Sequence, residues 1–362
     1  MNRKPHLAWE ISRMGNQFER PRFAATNMGN VPYRDVKRAV QTILEYFPVA
    51  PSLPATSRSM KWMLEGIPCL VFDRQRRQVL MDPSPEREAE ILEFYSRYEQ
   101  EDLDYFATTA DTAPFLYALL DHLKELRPTN LKWVRFQTAG PLILGDTIKQ
   151  MDGNPALHHE TLRDILIKGS NIKARWLEKK IREEIPGVEV IADLPETTLV
   201  NFTSAGGTGT REDMVDIINE SFRGLTCLKW IHCCANIDWS ILTDTETDVI
   251  NFDAYHHSEK VSLYHREIKS FLDRGGMVGW GIIPVNEEVI SNETVDRLTD
   301  RLQEGIALFV KKGIDEMLLA SGSWVLPCCD TSLLRPETSD AAFAMAREIS
   351  NRMKVKYGFN AA

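Results

Sequence analysis

Short β-rich runs alternate with amphipathic helical stretches along almost the whole chain, and that alternation admits few folds. Parallel strands cannot be joined by tight hairpins, so each pair needs a crossover, and a helix supplies it. Strands are predicted at Arg22 to Thr26, Val134 to Thr138, Val188 to Ala192, Leu228 to Cys233, Asp248 to Asp253, Met277 to Ile283 and Glu316 to Ser321, with a weaker eighth at Val49 to Leu53. Helices are predicted at Tyr33 to Tyr46, Glu86 to Tyr98, Ala113 to Leu126, His159 to Glu184, Arg211 to Phe222, Glu259 to Arg274, Glu293 to Lys312 and Ala341 to Tyr357. Eight such units predict one α/β domain over residues 1–362, a single closed (β/α)8 TIM barrel, with an open doubly wound sheet as the rival. Cys69 to Met81 reads as an insertion hairpin about the charged Asp73 to Arg77 turn.

Composition narrows the function. With 43% hydrophobic and 26% charged residues, the chain has the make-up of a soluble protein, and no apolar run nears the ~20 residues needed to span a bilayer. No apolar signal core follows the N-terminal residues, so no membrane partner and a cytoplasmic location are expected. A net charge of -9 argues against nucleic acid as a partner, and the short Arg74-Gln75-Arg76-Arg77 cluster reads as a solvated hairpin tip. Six cysteines include two adjacent pairs, Cys233-Cys234 and Cys328-Cys329. In a reducing compartment that placement fits metal or redox chemistry better than disulfides, while Cys69 and Cys227 read as buried small hydrophobes.

In a barrel, His232 and Cys234 close one strand, Asp253 the next, and Cys328-Cys329 follow the last, all on the C-terminal rim where barrel active sites form. Residues i and i+2 of a strand share a side, so His232 and Cys234 can face one metal while Cys233 turns away. One imidazole with two thiolates is a soft set that holds zinc and leaves a position open, and such zinc can take a substrate thiol and stabilise its thiolate. Asp253 has three readings: a fourth ligand, an acceptor orienting His232, or the cap of the following helix. Tyr255, His256 and His257 stand on the same rim as candidates for proton transfer or a cobalt contact, against a plain reading as loop residues. The Ser204 to Thr210 loop has neither a Gly-Lys-Ser/Thr ending nor GxGxxG spacing, so it reads as a rim loop rather than a phosphate cradle. Trp239 and Trp324 are read as packing residues ahead of a ligand face.

At these residues the chain resembles the C-terminal catalytic barrel of cobalamin-independent methionine synthase, in the superfamily that also holds uroporphyrinogen decarboxylase and the corrinoid-dependent methyltransferases. The family's zinc-binding HxC is similar to His232-Cys233-Cys234, and its Pro-x-Cys to Pro327-Cys328-Cys329, which implies zinc at His232, Cys234 and Cys329. Its strand ending in a zinc-binding glutamate resembles Asp248 to Asp253, with aspartate in the last place. The turn that contacts the homocysteine amino acid group resembles Met28-Gly29-Asn30-Val31-Pro32, and the acidic Asp-Glu-Pro resembles Asp193-Leu194-Pro195. A Thr-Gly-Pro strand end resembles Thr138-Ala139-Gly140-Pro141. The resemblance therefore implies a zinc-dependent methyltransferase whose substrate meets Met28, Gly29, Asn30 and Asp193.

Departures from the family move the expectation. A second barrel does not fit in 362 residues, and neither the folate-binding segment nor the histidine that protonates departing folate has a counterpart; the equivalent strand reads Val278-Gly279-Trp280-Gly281-Ile282-Ile283-Pro284. A folate leaving group needs an acid, whereas a methyl-corrinoid leaves without one, so methylcobalamin or a methylated corrinoid protein is the expected donor. Asn30 in place of serine and Leu194 in place of glutamate weaken recognition of an ammonium. Homocysteine stays the default acceptor; another thiol such as coenzyme M, or demethylation of a methoxy or methylamino substrate, is the alternative. A metal-free decarboxylase and a non-catalytic corrinoid-binding barrel are the remaining readings.

Overall fold

The structure, a computed structural model, describes residues 18–359 apart from 57–59, 74, 76–77 and 204–208. Its strands are β1 (Ala24–Ala25), β2 (Leu70–Asp73), β3 (Gln78–Met81), β4 (Trp133–Gln137), β5 (Lys149–Gln150), β6 (Glu189–Asp193), β7 (Leu228–Cys233), β8 (Val249–Phe252), β9 (Met277–Ile283) and β10 (Ser323–Pro327). Seven of them form a curled, wholly parallel sheet in the order β1-β10-β9-β8-β7-β6-β4. Helices cross between them with one apolar stripe turned inward: Val295–Val310, capped by Thr294, buries Leu298, Leu302, Ile306 and Phe309, the spacing of one helix face.

The eighth strand expected for a closed barrel does not form as a ladder. Pro51 and Pro54 remove two donors from the 49–55 segment, so it makes only isolated parallel bridges, Ser52 with Arg135 and Ala55 with Asn30. Its main chain reaches β4 through Leu53 N–H to Arg135 O at 2.8 Å and Arg135 N–H to Pro51 O at 2.9 Å. On the other side Ser52 N–H donates to the Asn27 side-chain oxygen at 3.0 Å, just beyond β1. The sheet thus meets its own far edge through that side chain and an isolated bridge, with Ala55 N–H donating to Gly29 O at 2.9 Å and Val31 N–H to Ala55 O at 3.0 Å, instead of a continuous ladder.

Glu316 to Ser321 also differs from expectation: it is a helix, and the strand is the following Ser323–Pro327. Asp315 caps it by accepting from Leu318 N–H at 2.7 Å, and Glu-Met-Leu-Leu-Ala are strong helix formers. The predicted Glu259 to Arg274 helix starts earlier, as Ala254–Val261, and resumes as His265–Asp273 after a 3-10 turn. The insertion hairpin pairs β2 with β3 as expected, and β5 joins it in parallel. Arg74, Arg76, Arg77 and residues 204–208 lie outside the described residues.

Alternation along the strands sorts side chains into an inner and an outer set. Trp133, Trp230 and Trp324 meet edge to face inside the sheet, with ring centres 5.0 and 5.4 Å apart, beside Ile191, Leu228, Val249 and Met277. Val134, Phe136, Val190, Ile231, Ile250 and Phe252 point outward to the helices. Trp239, edge-on to Phe252, belongs to that outer core, so both tryptophans considered as ligand faces are packing residues. Cys69 and Cys227 are buried free thiols. Among the described residues no helix is long and apolar enough to cross a membrane.

Candidate metal centre

One row across three strands positions the centre. His232 on β7 is the register partner of Asn251 on β8, which is in turn the partner of Gly279 on β9. Partners in a parallel ladder share a face, so these three stand side by side above the tryptophans. His232 is buried, and its Nδ1 lies 2.7 Å from Asn251 Oδ1. Nε2, also buried, has no hydrogen-bond partner.

His232, Cys234 and Cys329 come together with one donor atom from each, all within 4.8 Å of one another, and among the described residues no other such group could hold a metal. With Nδ1 engaged by Asn251, Nε2 is the donor His232 has left. Cys234 and Cys329 are half-buried, whereas Cys233 and Cys328 are buried away from the cluster. Contact between the two thiols lowers the pKa of Cys234 against the opposing effect of burial, and together with burial it raises that of Cys329. Burial, helped by the nearby Glu196, pushes Cys233 up to about 12, leaving it a poor ligand. At His232 burial opposes the charged form, but Cys329 and Asp193 outweigh it and raise the pKa. An orphaned imidazole nitrogen facing two thiols is a donor set that fits zinc.

Asp253 stands apart from this cluster. β8 ends at Phe252, and Asp253 caps the next helix, accepting from His256 N–H at 3.0 Å and sitting 2.8 Å from His256 Nδ1. Of its three readings the cap fits these bonds, and the hydrogen bond to His232 belongs to Asn251. His257 has its pKa lowered by burial.

Beneath the cluster lies an ion pair missed in the sequence. Arg135 Nη2 is 2.6 Å from Asp193 Oδ2, both side chains wholly buried, and Gln137 Nε2 donates to the same oxygen at 2.6 Å. Arg135 also donates to Asn27 O at 2.9 Å, reaches Met28 Sδ at 3.5 Å, and stacks 4.1 Å above the Trp230 ring. Asp193 Oδ1 is left buried without a partner. Gly29 packs on Gln137, whose Oε1 would lie 2.7 Å from a Cβ there. Met28, Gly29 and Asp193 therefore meet around Arg135 and Gln137. Asn30 is half-buried, bridging Ala55 and accepting from Thr331 N–H at 3.2 Å through its carbonyl. The period-two signal Trp133, Arg135, Gln137 marks the two polar residues as inward-facing.

Glu196 is a second missed residue. Its carboxylate is buried and accepts from Leu142 and Ile143 N–H at 3.1 and 2.9 Å, at the start of the helix Pro141–Thr147. Burial outweighs these bonds and pushes its pKa up to about 8. Its own N–H donates to His232 O at 2.9 Å, tying the loops after β4 and β6 to the end of β7.

No protein-family model and no curated protein matches the chain. Among solved structures, the fold is similar to a methyltransferase from Methanosarcina mazei, at 14% identity and a TM-score of 0.54 over 93% of this chain and 95% of that one. A GH113 beta-mannanase, AaManA from Alicyclobacillus acidocaldarius, in complex with ManMIm, aligns over 93% of this chain and 98% of its own at 10% identity and a TM-score of 0.44. What the first of these establishes for the chain is its fold: a curled parallel α/β sheet of the TIM-barrel kind.

Proposed function

We propose that the chain is a zinc-dependent methyltransferase that activates a thiol, homocysteine by default, and methylates it from a methyl-corrinoid donor. The observation that carries this reading is the convergence of His232, Cys234 and Cys329 at the C-terminal ends of the strands, with a buried, unpartnered nitrogen among them. Zinc held by those three residues would supply positive charge that favours the thiolate over the thiol at neutral pH. In the transfer, sulfur loses its proton and forms the S–CH3 bond, while the electron pair of the broken methyl bond stays with the donor. Asp193 Oδ1, buried and free beside Thr138, whose Oγ1 also has no partner, suits a hydrogen-bond donor on the far end of the substrate. Arg135 and Gln137 hold that carboxylate still by gripping its other oxygen. The similarly folded methyltransferase from Methanosarcina mazei carries an activity of the proposed class in its name.

The test is zinc-loaded protein with methylcobalamin and homocysteine, coenzyme M or no thiol, followed by the loss of the methylcobalamin spectrum. Thiol-dependent demethylation that disappears in Cys329→Ala is expected. Zinc binding without demethylation in the presence of any thiol contradicts the proposal.

A further inference from the structure

We infer that Asn251 is a positioning residue for the metal site: it fixes the tautomer of His232 and thereby sets the affinity of the His232, Cys234 and Cys329 cluster, a role that rests on the metal reading above. An amide can turn either oxygen or nitrogen toward a neighbour, and here the neighbours decide. Asn251 Nδ2 donates to Gly279 O at 2.9 Å and reaches Phe252 O at 3.4 Å, and both carbonyls can only accept. Oδ1 is therefore the atom turned to His232 Nδ1 at 2.7 Å. That oxygen only accepts, so Nδ1 carries the imidazole proton. A neutral imidazole holds one proton, which leaves the lone pair on Nε2, the nitrogen without a hydrogen-bond partner. The opposite tautomer would set two lone pairs against each other in a buried site.

The surrounding backbone leaves room for this one arrangement. Gly279 lacks a side chain where a Cβ would come within 2.8 Å of Asn251 Cβ and 2.9 Å of Trp230 Cζ2. The amide is pressed between Gly279 and His232 along the ladder, with its rotation blocked by the bond to Gly279 O. A ligand histidine whose second nitrogen is held in this way needs no rearrangement before it binds metal.

The test uses the full chain with nitrogen-15-labelled histidine, read by NMR without metal, together with zinc affinity from chelator competition. At a pH where the imidazole is neutral, metal-free wild type is expected to show His232 protonated on Nδ1 alone. Asn251→Asp keeps an acceptor there, so it should keep the tautomer and bind zinc within about tenfold of wild type. Asn251→Leu, of similar size but with no acceptor, should lose the Nδ1–H tautomer and bind zinc roughly 10- to 100-fold more weakly. A role in packing alone predicts the reverse order, with leucine tolerated and the buried carboxylate not. Wild-type protein carrying the proton on Nε2 overturns the inference with no variant needed, as does Asn251→Leu with undiminished affinity. Wild type that shows the Nδ1–H tautomer yet binds no zinc overturns the metal reading itself, and this role with it.

Discussion

Arg135 and Asp193 form a 2.6 Å ion pair with no solvent exposure on either side chain, directly under the cysteine and histidine cluster. A buried pair of this kind adds little net stability, because removing both charges from water costs nearly what their attraction returns. Breaking it is another matter, since the surviving buried charge has no opposite charge beside it. Arg135→Met should lower unfolding stability by about 3–5 kcal/mol, read from urea denaturation, and Arg135→Met combined with Asp193→Leu should recover much of the loss. Additive losses in the double variant would mean the two charges do not act as a pair.

The two cysteine pairs should behave oppositely within each pair. Cys234→Ala and Cys329→Ala are expected to abolish stoichiometric zinc, and Cys233→Ala and Cys328→Ala to retain it, by elemental analysis of purified protein. Only Cys234 and Cys329 contribute to the donor cluster, while burial raises the pKa of the other two. Zinc lost equally from all four would refute the assignment.

Gly281 makes room for the segment that carries Cys329. A Cβ there would lie 2.7 Å from both Cys328 Cα and Phe252 O, and neither backbone can give way cheaply. Gly281→Ala should cost roughly 1–3 kcal/mol and weaken zinc binding together with stability. Unchanged zinc affinity in a destabilised variant would show that the Cys328-Cys329 loop moves independently of β9.

Lys173 predicts a pH dependence away from the centre. Its ammonium is buried among Phe106 O, Thr108 Oγ1 and the Trp176 ring, and burial lowers its pKa from 10.5 to about 7 against a weaker opposing pull from Glu65. Between those values the unfolded chain holds a proton that the native protein does not, so this contribution to stability rises with pH. It is full above 10.5 and lost as pH falls through about 7. Relative to Lys173→Met, wild type should gain up to about 1.4 kcal/mol per pH unit inside that window, measured from urea midpoints. A difference independent of pH would contradict this.

The limits of sequence reading are plainest at the second cysteine pair. For His232 and Cys234, period-two alternation on one strand is enough to choose the thiol that faces the histidine. Alternation from the inward Trp324 and Leu326 would instead choose Cys328. β10 ends at Pro327, where its pairing with β9 slips past one extra β9 residue, so strand alternation stops governing the residues beyond it and Cys329 is the one that joins the site. The resemblance of Pro327-Cys328-Cys329 to the family's Pro-x-Cys pointed to the same residue without revealing the bulge. Asn251 lies on a strand that was predicted, but its adjacency to His232 is a matter of register between strands, which one sequence does not carry. The β10 strand was placed too early because Glu316 to Ser321 is apolar enough to pass for a strand, although its composition is that of a capped helix.

The claim that His232, Cys234 and Cys329 form a metal centre is tested most directly by X-ray absorption on zinc-loaded protein. The account predicts an inner shell of two sulfurs at ~2.3 Å and one imidazole nitrogen at ~2.0–2.1 Å, with the sulfur count falling to one in Cys329→Ala if any metal remains. A shell of nitrogen and oxygen only, four sulfurs, or no stoichiometric zinc would contradict it.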